Sequence, residues 1–228
     1  MLPFVKLERG WEWLAYFLSH WKFLEVLEYM SSLSILFAVL FYFSESGDRL
    51  KQKHYQAWQV INTAQGKGGS GGRIEALQEL NTDRVPLVGV DVSGAFLQGI
   101  HLASARLLRA NFNSADLRDS DFRLADFTDA DLKSANFRGS NLGQANFRRA
   151  DLAGSDLGEA DLTDANLAGA NLDDADLSGA NLSGVQWREI VSTKNATIEG
   201  VKNAPPGFVD WARQEGALTS SNAGEKGR

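Results

Sequence analysis

Cysteine is absent from this chain of 228 residues, and histidine is nearly so, with His20, His54 and His101 far apart. A disulfide framework, a thiol nucleophile and a thiolate zinc site are therefore excluded, and a histidine-rich metal cluster goes with them. An excess of positive charge is also missing. The formal net charge is -6 and the isoelectric point about 5.1, which gives no general attraction to phosphates and removes the class of strongly basic nucleic-acid binders. Apolar residues are not in short supply: 43% of the chain is hydrophobic and 23% charged, enough to build a core and incompatible with disorder throughout. Two local absences say more. Residues 29–44 contain no charged side chain, and residues 150–185 contain no basic one. The two ends of the chain are written for different solvents.

The uncharged stretch, extended back through Leu24, Val26 and Leu27, gives about 20 apolar residues, or roughly 30 Å of helix, enough to cross a bilayer core. A transmembrane helix over 23–44 keeps Glu25 and Glu28 close to the membrane–water interface, where ionised groups are tolerated. Residues 1–22 carry Trp11, Trp13 and Trp21, rings that favour that boundary, and read as an interfacial segment. A cleaved signal peptide would need a small-residue cleavage site after the apolar run, and Phe43-Ser-Glu-Ser-Gly47 is a poor one. Basic residues flank the span on both sides. The denser cluster of Arg49, Lys51 and Lys53 favours a single-pass orientation with the C-terminal part on the cytoplasmic side.

Residues 45–72 join the halves as a juxtamembrane helix, with Tyr55, Trp58 and Ile61 spaced to share one side, followed by a glycine-rich linker. Within that linker Gly66, Gly68 and Gly71 satisfy a dinucleotide-binding pattern, and Gly68, Ser70 and Gly72 a nucleophile-elbow pattern. Both motifs act only where a strand enters and a helix leaves. Here a helix enters, so both are read as accidents of glycine-rich composition.

From Leu87 the sequence repeats every five residues without a slip, through Val92, Leu97, Leu102, Leu107, Phe112 and onward to Leu182 and Trp187. Two places before each large residue stands a small one, such as Ala110, Ala115, Ser120 or Ala125, and between them Asp or Asn, as in Asn111, Asp116, Asp121 and Asp126. Period five suits neither regular element. On an α-helix it steps about 140° per repeat, so no apolar face forms. On a straight strand it sends alternate large residues to opposite faces. Every large residue stays inside only if the chain bends at each repeat. Four bends close a square coil of about 20 residues, with stacked coils about 4.8 Å apart. Asp and Asn suit the bends because their side chains bond nearby backbone groups.

Runs such as Ala115-Asp-Leu-Arg-Asp119, Ala130-Asp-Leu-Lys-Ser134 and Ala165-Asn-Leu-Ala-Gly169 resemble the pentapeptide-repeat family, with its A-(D/N)-L-x-x signature, over residues 85–187. The resemblance implies an all-β solenoid, a right-handed quadrilateral β-helix of about five coils over 85–202, roughly 25 Å tall by strand spacing. The first coil departs from the pattern. Phe96, His101 and Arg106 replace Asp or Asn, and Val85, Val90 and Ile100 replace Ala, so a looser coil is expected there. Open solenoid ends need covers. Residues 73–84, with Ile74, Leu77 and Leu80 on one helical face, supply the N-terminal cap. After Trp187 the register breaks, Ala196-Thr-Ile198 is expected to form one more irregular turn, and 203–228 supply a C-terminal cap around Phe208–Arg213 and a disordered tail.

Charge is patterned along the coils. Residues 20 apart stack, so Arg109, Asp129 and Arg149 form an alternating column, while Arg118 and Arg138 stack like on like, with Asp116 and Asp119 available to pair. Arg118, Arg138, Arg148, Arg149, Asp156, Asp161 and Asp176 are the candidate interaction surface. Carboxylate pairs on a convex column do not converge in a pocket, so no enzyme activity, metal site or cofactor is expected. The sequence reads as a membrane-anchored, non-catalytic scaffold or accessory subunit docking a protein partner within a membrane complex, with no direct nucleic-acid contact. The alternative comes from the resemblance: some acidic pentapeptide-repeat proteins resemble a DNA duplex and bind DNA gyrase, which implies a DNA-mimicking inhibitor.

Overall fold

The conflict between period five and regular secondary structure is resolved by bending. In the computed structural model, which describes residues 11–16, 19, 23–64 and 70–219 (without the side chains of 23–28 and 43–46), each five-residue repeat contributes one bridging residue and one turn. Parallel bridges join residues 20 apart from Asp91↔Asn111 to Asn166↔Gln186. Twenty residues at five per side make a square coil. Its first face is centred on Leu87, Leu107, Phe127, Phe147, Leu167 and Trp187. Stepping on by five gives the second face at Phe112 and Leu132, the third at Leu117 and Phe137, and the fourth at Phe122 and Leu142.

Each bend is a four-residue turn closed by a backbone bond such as Ala115 N–H to Phe112 O at 2.9 Å. Every fifth residue from Arg84 to Gly184 has a positive φ, the backbone of a type II turn at its third position. The Asp or Asn before the large residue fixes the turn from outside. Asn111 Oδ1 accepts from Asn113 N–H at 3.0 Å, and Asp126 Oδ1 from Thr128 N–H at 3.1 Å. That Asx geometry is why the position is so consistently Asp or Asn.

Inside, the large residues fill the axis and the small ones the corners, both buried. The phenylalanines interlock. Phe127 and Phe147 stack one coil apart, with ring centroids 5.2 Å apart and planes at 3°, while Phe122 meets Phe137 edge-on at 5.9 Å. The first coil is not looser, contrary to expectation. Phe96 and His101 bridge to Asp116 and Asp121 as their successors do, and Val90 and Ile100 are buried. Only the backbone of the bridging residue enters the ladder, so Phe96 simply points its ring outward.

The chain divides into two compact units, Met1–Lys53 and His54–Arg228. Helix α1 (Phe23–Thr63) is a single helix of 41 residues, so the boundary drawn between span and juxtamembrane helix at 44/45 falls inside one helix. The stretch Ser44-Glu-Ser-Gly-Asp48 contains Gly47 but no proline, and a single glycine inside a helix costs only about 1 kcal/mol, so the helix runs through it. Within the first unit, the large apolar side chains of residues 29–42 are exposed. Within the second, α1 buries Ala57 and Ile61, half-buries Trp58 and leaves Tyr55 exposed. The inward face therefore follows the i, i+1, i+4 set 57, 58 and 61, not the wider 55–58–61 spacing.

Helix α2 (Arg73–Thr82) caps the lower end, as its apolar face suggested. It buries Ala76, Leu77 and Leu80, with Ile74 half-buried. It also meets the open backbone edge: Gln78 Oε1 accepts from His101 N–H at 2.8 Å and Asn81 Nδ2 donates to Ala103 O at 3.0 Å. Beside it, His54 Nε2 lies 2.9 Å from Asp83 Oδ2. The start of the glycine linker (65–69) and the tail (220–228) lie outside the described residues.

At the upper end the repeat does not stop at Trp187; it shifts by one. Val191 N–H donates to Ala170 O, while Leu172 N–H donates to Ser192 O. Two residues thus oppose Asn171, a β-bulge. Beyond it the bridges join residues 21 apart, from Asn171↔Ser192 to Asn181↔Lys202. Thr193 and Ile198 take the buried central places, and Val191 is thrown outward. Helix α3 (Phe208–Gln214) follows, burying Phe208 and Ala212, with Phe208 edge-on to Trp187 at 5.8 Å.

Candidate functional site

The repeat leaves two outward positions per side in the turn, so surface chemistry is laid out in vertical columns. On the third face Arg118 folds back onto Asp116 of its own repeat in a two-pronged contact, at 2.8 and 2.7 Å. The pair holds the Asp116 carboxyl below the usual carboxylate range, chiefly through the hydrogen bond from the guanidinium. Arg138, one coil higher, reaches upward instead. It lies 3.1 Å from Asp156, 3.0 Å from Glu159 and 3.5 Å from Asp176. Gly158 makes this possible. A Cβ there would lie 2.7 Å from Arg138 Nη2 and 2.9 Å from Asp156 Oδ1. The like-charged stacking of Arg118 and Arg138 is thus relieved by acids on both sides of it. Arg118, Arg138, Asp156 and Asp176 come together on one face, mostly satisfied by one another.

The first face differs. Arg149 grips Asp129 one coil below at 2.6 and 2.8 Å, forming the upper pair of the expected column and depressing the Asp129 carboxyl, chiefly by hydrogen bonding. Next to it, Arg148 has no ion pair among the described residues, and neither does Arg188, two coils above it. Arg188 lies over the Trp187 ring, 5.3 Å from its centroid. Together with Gln186, Pro205 and Pro206 they line a groove of about 740 Å³. Sequence reasoning missed this groove. The signal available was Pro205-Pro206, one coil length above Val185-Gln186, where residues without an N–H cannot continue the ladder.

Asp161 stands apart on the fourth face, where its carboxylate accepts from Thr163 Oγ1 at 2.5 Å and Asn181 Nδ2 at 3.0 Å. It works inside a turn. Asp121 is held low by the Arg123 hydrogen bond, and Lys133 pairs with Asp151 at 2.9 Å. Of the candidate interfacial residues, Trp11 and Trp13 are exposed. Trp21 and the side chains of Glu25 and Glu28 lie outside the described residues. No group of three His, Asp or Glu among the described residues is arranged to hold a metal ion.

Residues 87–123, 105–144, 125–164 and 145–184 match the family model of pentapeptide repeats, in 8 copies. Among solved structures, the chain is similar to QnrB1, a plasmid-mediated fluoroquinolone resistance protein, at 24% identity over 52% of this chain and 70% of that one, with a TM-score of 0.39. It is similar to HetL, involved in heterocyst differentiation regulation in Nostoc sp. strain PCC 7120, at 27% identity over 52% and 62%, with a TM-score of 0.31. A pentapeptide-repeat protein from the Arabidopsis thaliana thylakoid lumen matches at 28% identity over 43% and 69%, with a TM-score of 0.29. No curated protein matches the sequence.

Proposed function

Since residues 87–184 match the family model of pentapeptide repeats, we propose that the chain is a membrane-anchored, non-catalytic scaffold whose β-helix docks a protein partner in a membrane complex. The observation that carries this reading is the state of α1. It is long and apolar enough to cross a membrane, and Ile35, Phe37 and Phe41 are 66%, 62% and 73% exposed. A soluble core helix would bury such residues; a membrane helix gives them to lipid. The β-helix, by contrast, seals its own core and presents charged columns and the groove beside Trp187. The columns also weigh against DNA mimicry. A phosphate-like array needs unpaired carboxylates, and Asp129, Asp151, Asp156 and Asp176 face Arg or Lys at 2.6–3.5 Å.

Fractionation tests the anchor. The full chain should stay with membranes through carbonate extraction, and Leu36→Arg with Leu40→Arg should release it, because each mid-span arginine costs about 2.5–3.5 kcal/mol on insertion scales. A soluble, monomeric full-length chain would overturn the reading. Gentle detergent extraction and mass spectrometry then separate the partners: stoichiometric membrane subunits support the scaffold, and recovery of a topoisomerase in their place overturns it.

A further inference from the structure

Charge is not spread evenly around the column. The first face takes five residues from each coil, 85–89, 105–109 and so on to 185–189, and carries Arg106, Arg109, Arg148, Arg149 and Arg188 against Asp126, Asp129 and Glu189. On each of the other three faces, between Val90 and Gly184, acids outnumber lysine and arginine. All the acids of residues 150–185 lie on those three faces, so the upper first face is a donor surface on an acidic column. Lower on that face the carboxylates are engaged. Asp129 is held by Arg149, and Asp126 accepts from Thr128 N–H and from Asn146 Nδ2. Arg148 and Arg188, two coils apart in one column, have no ion pair among the described residues. Between them stands Ala168, whose methyl is too short to fill the groove it lines. Asn166 lines it too. Its Oδ1 accepts from Ala168 N–H at 3.0 Å, and its Nδ2 has no acceptor among the described residues, unlike that of Asn146, which stands above Asp126. Arg188 lies over the Trp187 ring, which is itself packed against Phe208 and Trp211. Glu189 is the one carboxylate of the lining.

We propose that this groove is the docking site of the scaffold and takes a pair of carboxylate side chains from an acidic surface of a partner protein. The inference rests on the scaffold reading and names the face and the chemistry of the contact. At a strand spacing of about 4.8 Å, the backbones of Arg148 and Arg188 are about 10 Å apart. The matching segment presents two carboxylates at that distance, about three residues apart where it is extended. Each guanidinium takes one carboxylate in a two-pronged contact, and Asn166 Nδ2 adds a donor between them. These arginines give up no internal partner on docking. Arg118 and Arg138 on the third face would have to release Asp116, or Asp156 and Glu159, which offsets what a new contact contributes. The three acidic faces repel the same partner and so fix its orientation. A planar layer of anionic headgroups meets groups that protrude and not a recess between them. The groove therefore selects a protein side chain over a lipid surface.

The test uses the full chain in phosphatidylcholine nanodiscs and a fluorescent glycine–serine peptide carrying two glutamates about three residues apart. Saturable binding by anisotropy is expected, weakened by added salt. Ala168→Glu places the chain's own carboxylate between the two guanidiniums and should abolish binding without lowering the melting temperature. Arg148→Glu with Arg188→Glu should weaken binding about tenfold, or about 1.4 kcal/mol, and Glu189→Gln should tighten it. Lys202→Glu, a charge reversal on the fourth face, should leave it unchanged. No binding, equal binding of a two-lysine peptide, or unchanged binding by the Ala168→Glu chain would overturn the proposal. So would a loss with Lys202→Glu as large as with the arginine pair. Release of the peptide when phosphatidylglycerol replaces phosphatidylcholine would assign the face to lipid and overturn it as well. Peptide binding by a chain that carbonate releases from membranes would keep the groove and remove the anchor. Membrane subunits recovered equally by the parent and the Ala168→Glu chain would keep the scaffold and remove the groove.

Discussion

Between Leu87 and Trp187 the large residue of every repeat is buried, whereas between Tyr29 and Tyr42 the large apolar side chains stand exposed. Both stretches are rich in leucine and phenylalanine, so composition does not separate them. What separates them is whether the chain can bring its own apolar residues together. The five-residue period does so by bending at each repeat, and a neighbouring coil always lies one strand spacing away. Among the described residues of their own compact unit, the large apolar side chains from Met30 to Phe41 are left exposed, which is the physical ground for assigning them to another apolar solvent. One segment carries its core within it, and the other needs a core supplied from outside.

The largest effect that could break this contrast lies in the phenylalanine stack. Phe147 is fully buried and packed face to face on Phe127, so Phe147→Ala should destabilise the β-helix by about 3–5 kcal/mol. Phe41→Ala, at an exposed side chain of the other compact unit, should leave the β-helix melting temperature unchanged. Thermal unfolding followed by β-type circular dichroism measures both. Similar shifts for the two variants would mean that the apolar helix is part of the same cooperative core.

The surface of the column gives a smaller and sharper test. Gly158 does not have a positive φ, so Gly158→Ala adds no backbone strain there. Its new methyl instead meets the far end of Arg138 and pushes it off Asp156. The pair is substantially exposed, so the expected cost is only about 0.5–1 kcal/mol. The better readout is salt. Added sodium chloride should destabilise the parent chain slightly and leave the variant less affected. A loss comparable to that of Phe147→Ala would show that the ion cluster, and not the stacked core, holds the upper coils.

Much of this architecture is legible in the sequence, and what is not legible has a common cause. The Leu/Phe register, the Ala corners and the Asx turns are written at fixed spacing, so residues 87–187 could be read directly. The cap α2 was legible from Ile74, Leu77 and Leu80. The bulge at Val191-Ser192 was not. An inserted residue looks like lost register in sequence, and only pairing partners reveal that Thr193 resumes the central place. The reach of Arg138 toward Asp156 and Asp176 was hidden for a similar reason. It depends on the missing side chain of Gly158, whereas a column of charges suggests only vertical neighbours.

The smallest expected effect concerns protons. Asp116 and Asp121 each accept a two-pronged hydrogen bond from the arginine two residues on, and their carboxyls are held low chiefly by that bond. A carboxyl with a depressed folded value stabilises the fold wherever it is ionised. The contribution is fully present above the unfolded value of about 3.9 and is lost as the pH falls through the lower folded value. Above about pH 5 these residues should therefore add no pH dependence, and the melting temperature should decline from about pH 4 downward. The carboxylates are 19% exposed but Arg118 and Arg123 are 44% and 57% exposed, so solvent screening keeps the effect modest. The informative variant is Asp116→Asn with Asp121→Asn. Asparagine keeps the turn, since Asn111 and Asn136 accept the same backbone N–H in equivalent repeats. It removes only the charge. The variant should unfold like its parent when acid has protonated both carboxyls, fall slightly below it at neutral pH, and show a shallower decline between about pH 4 and 2. An unchanged acid limb would mean that these arginine contacts add nothing beyond what the turn geometry already supplies.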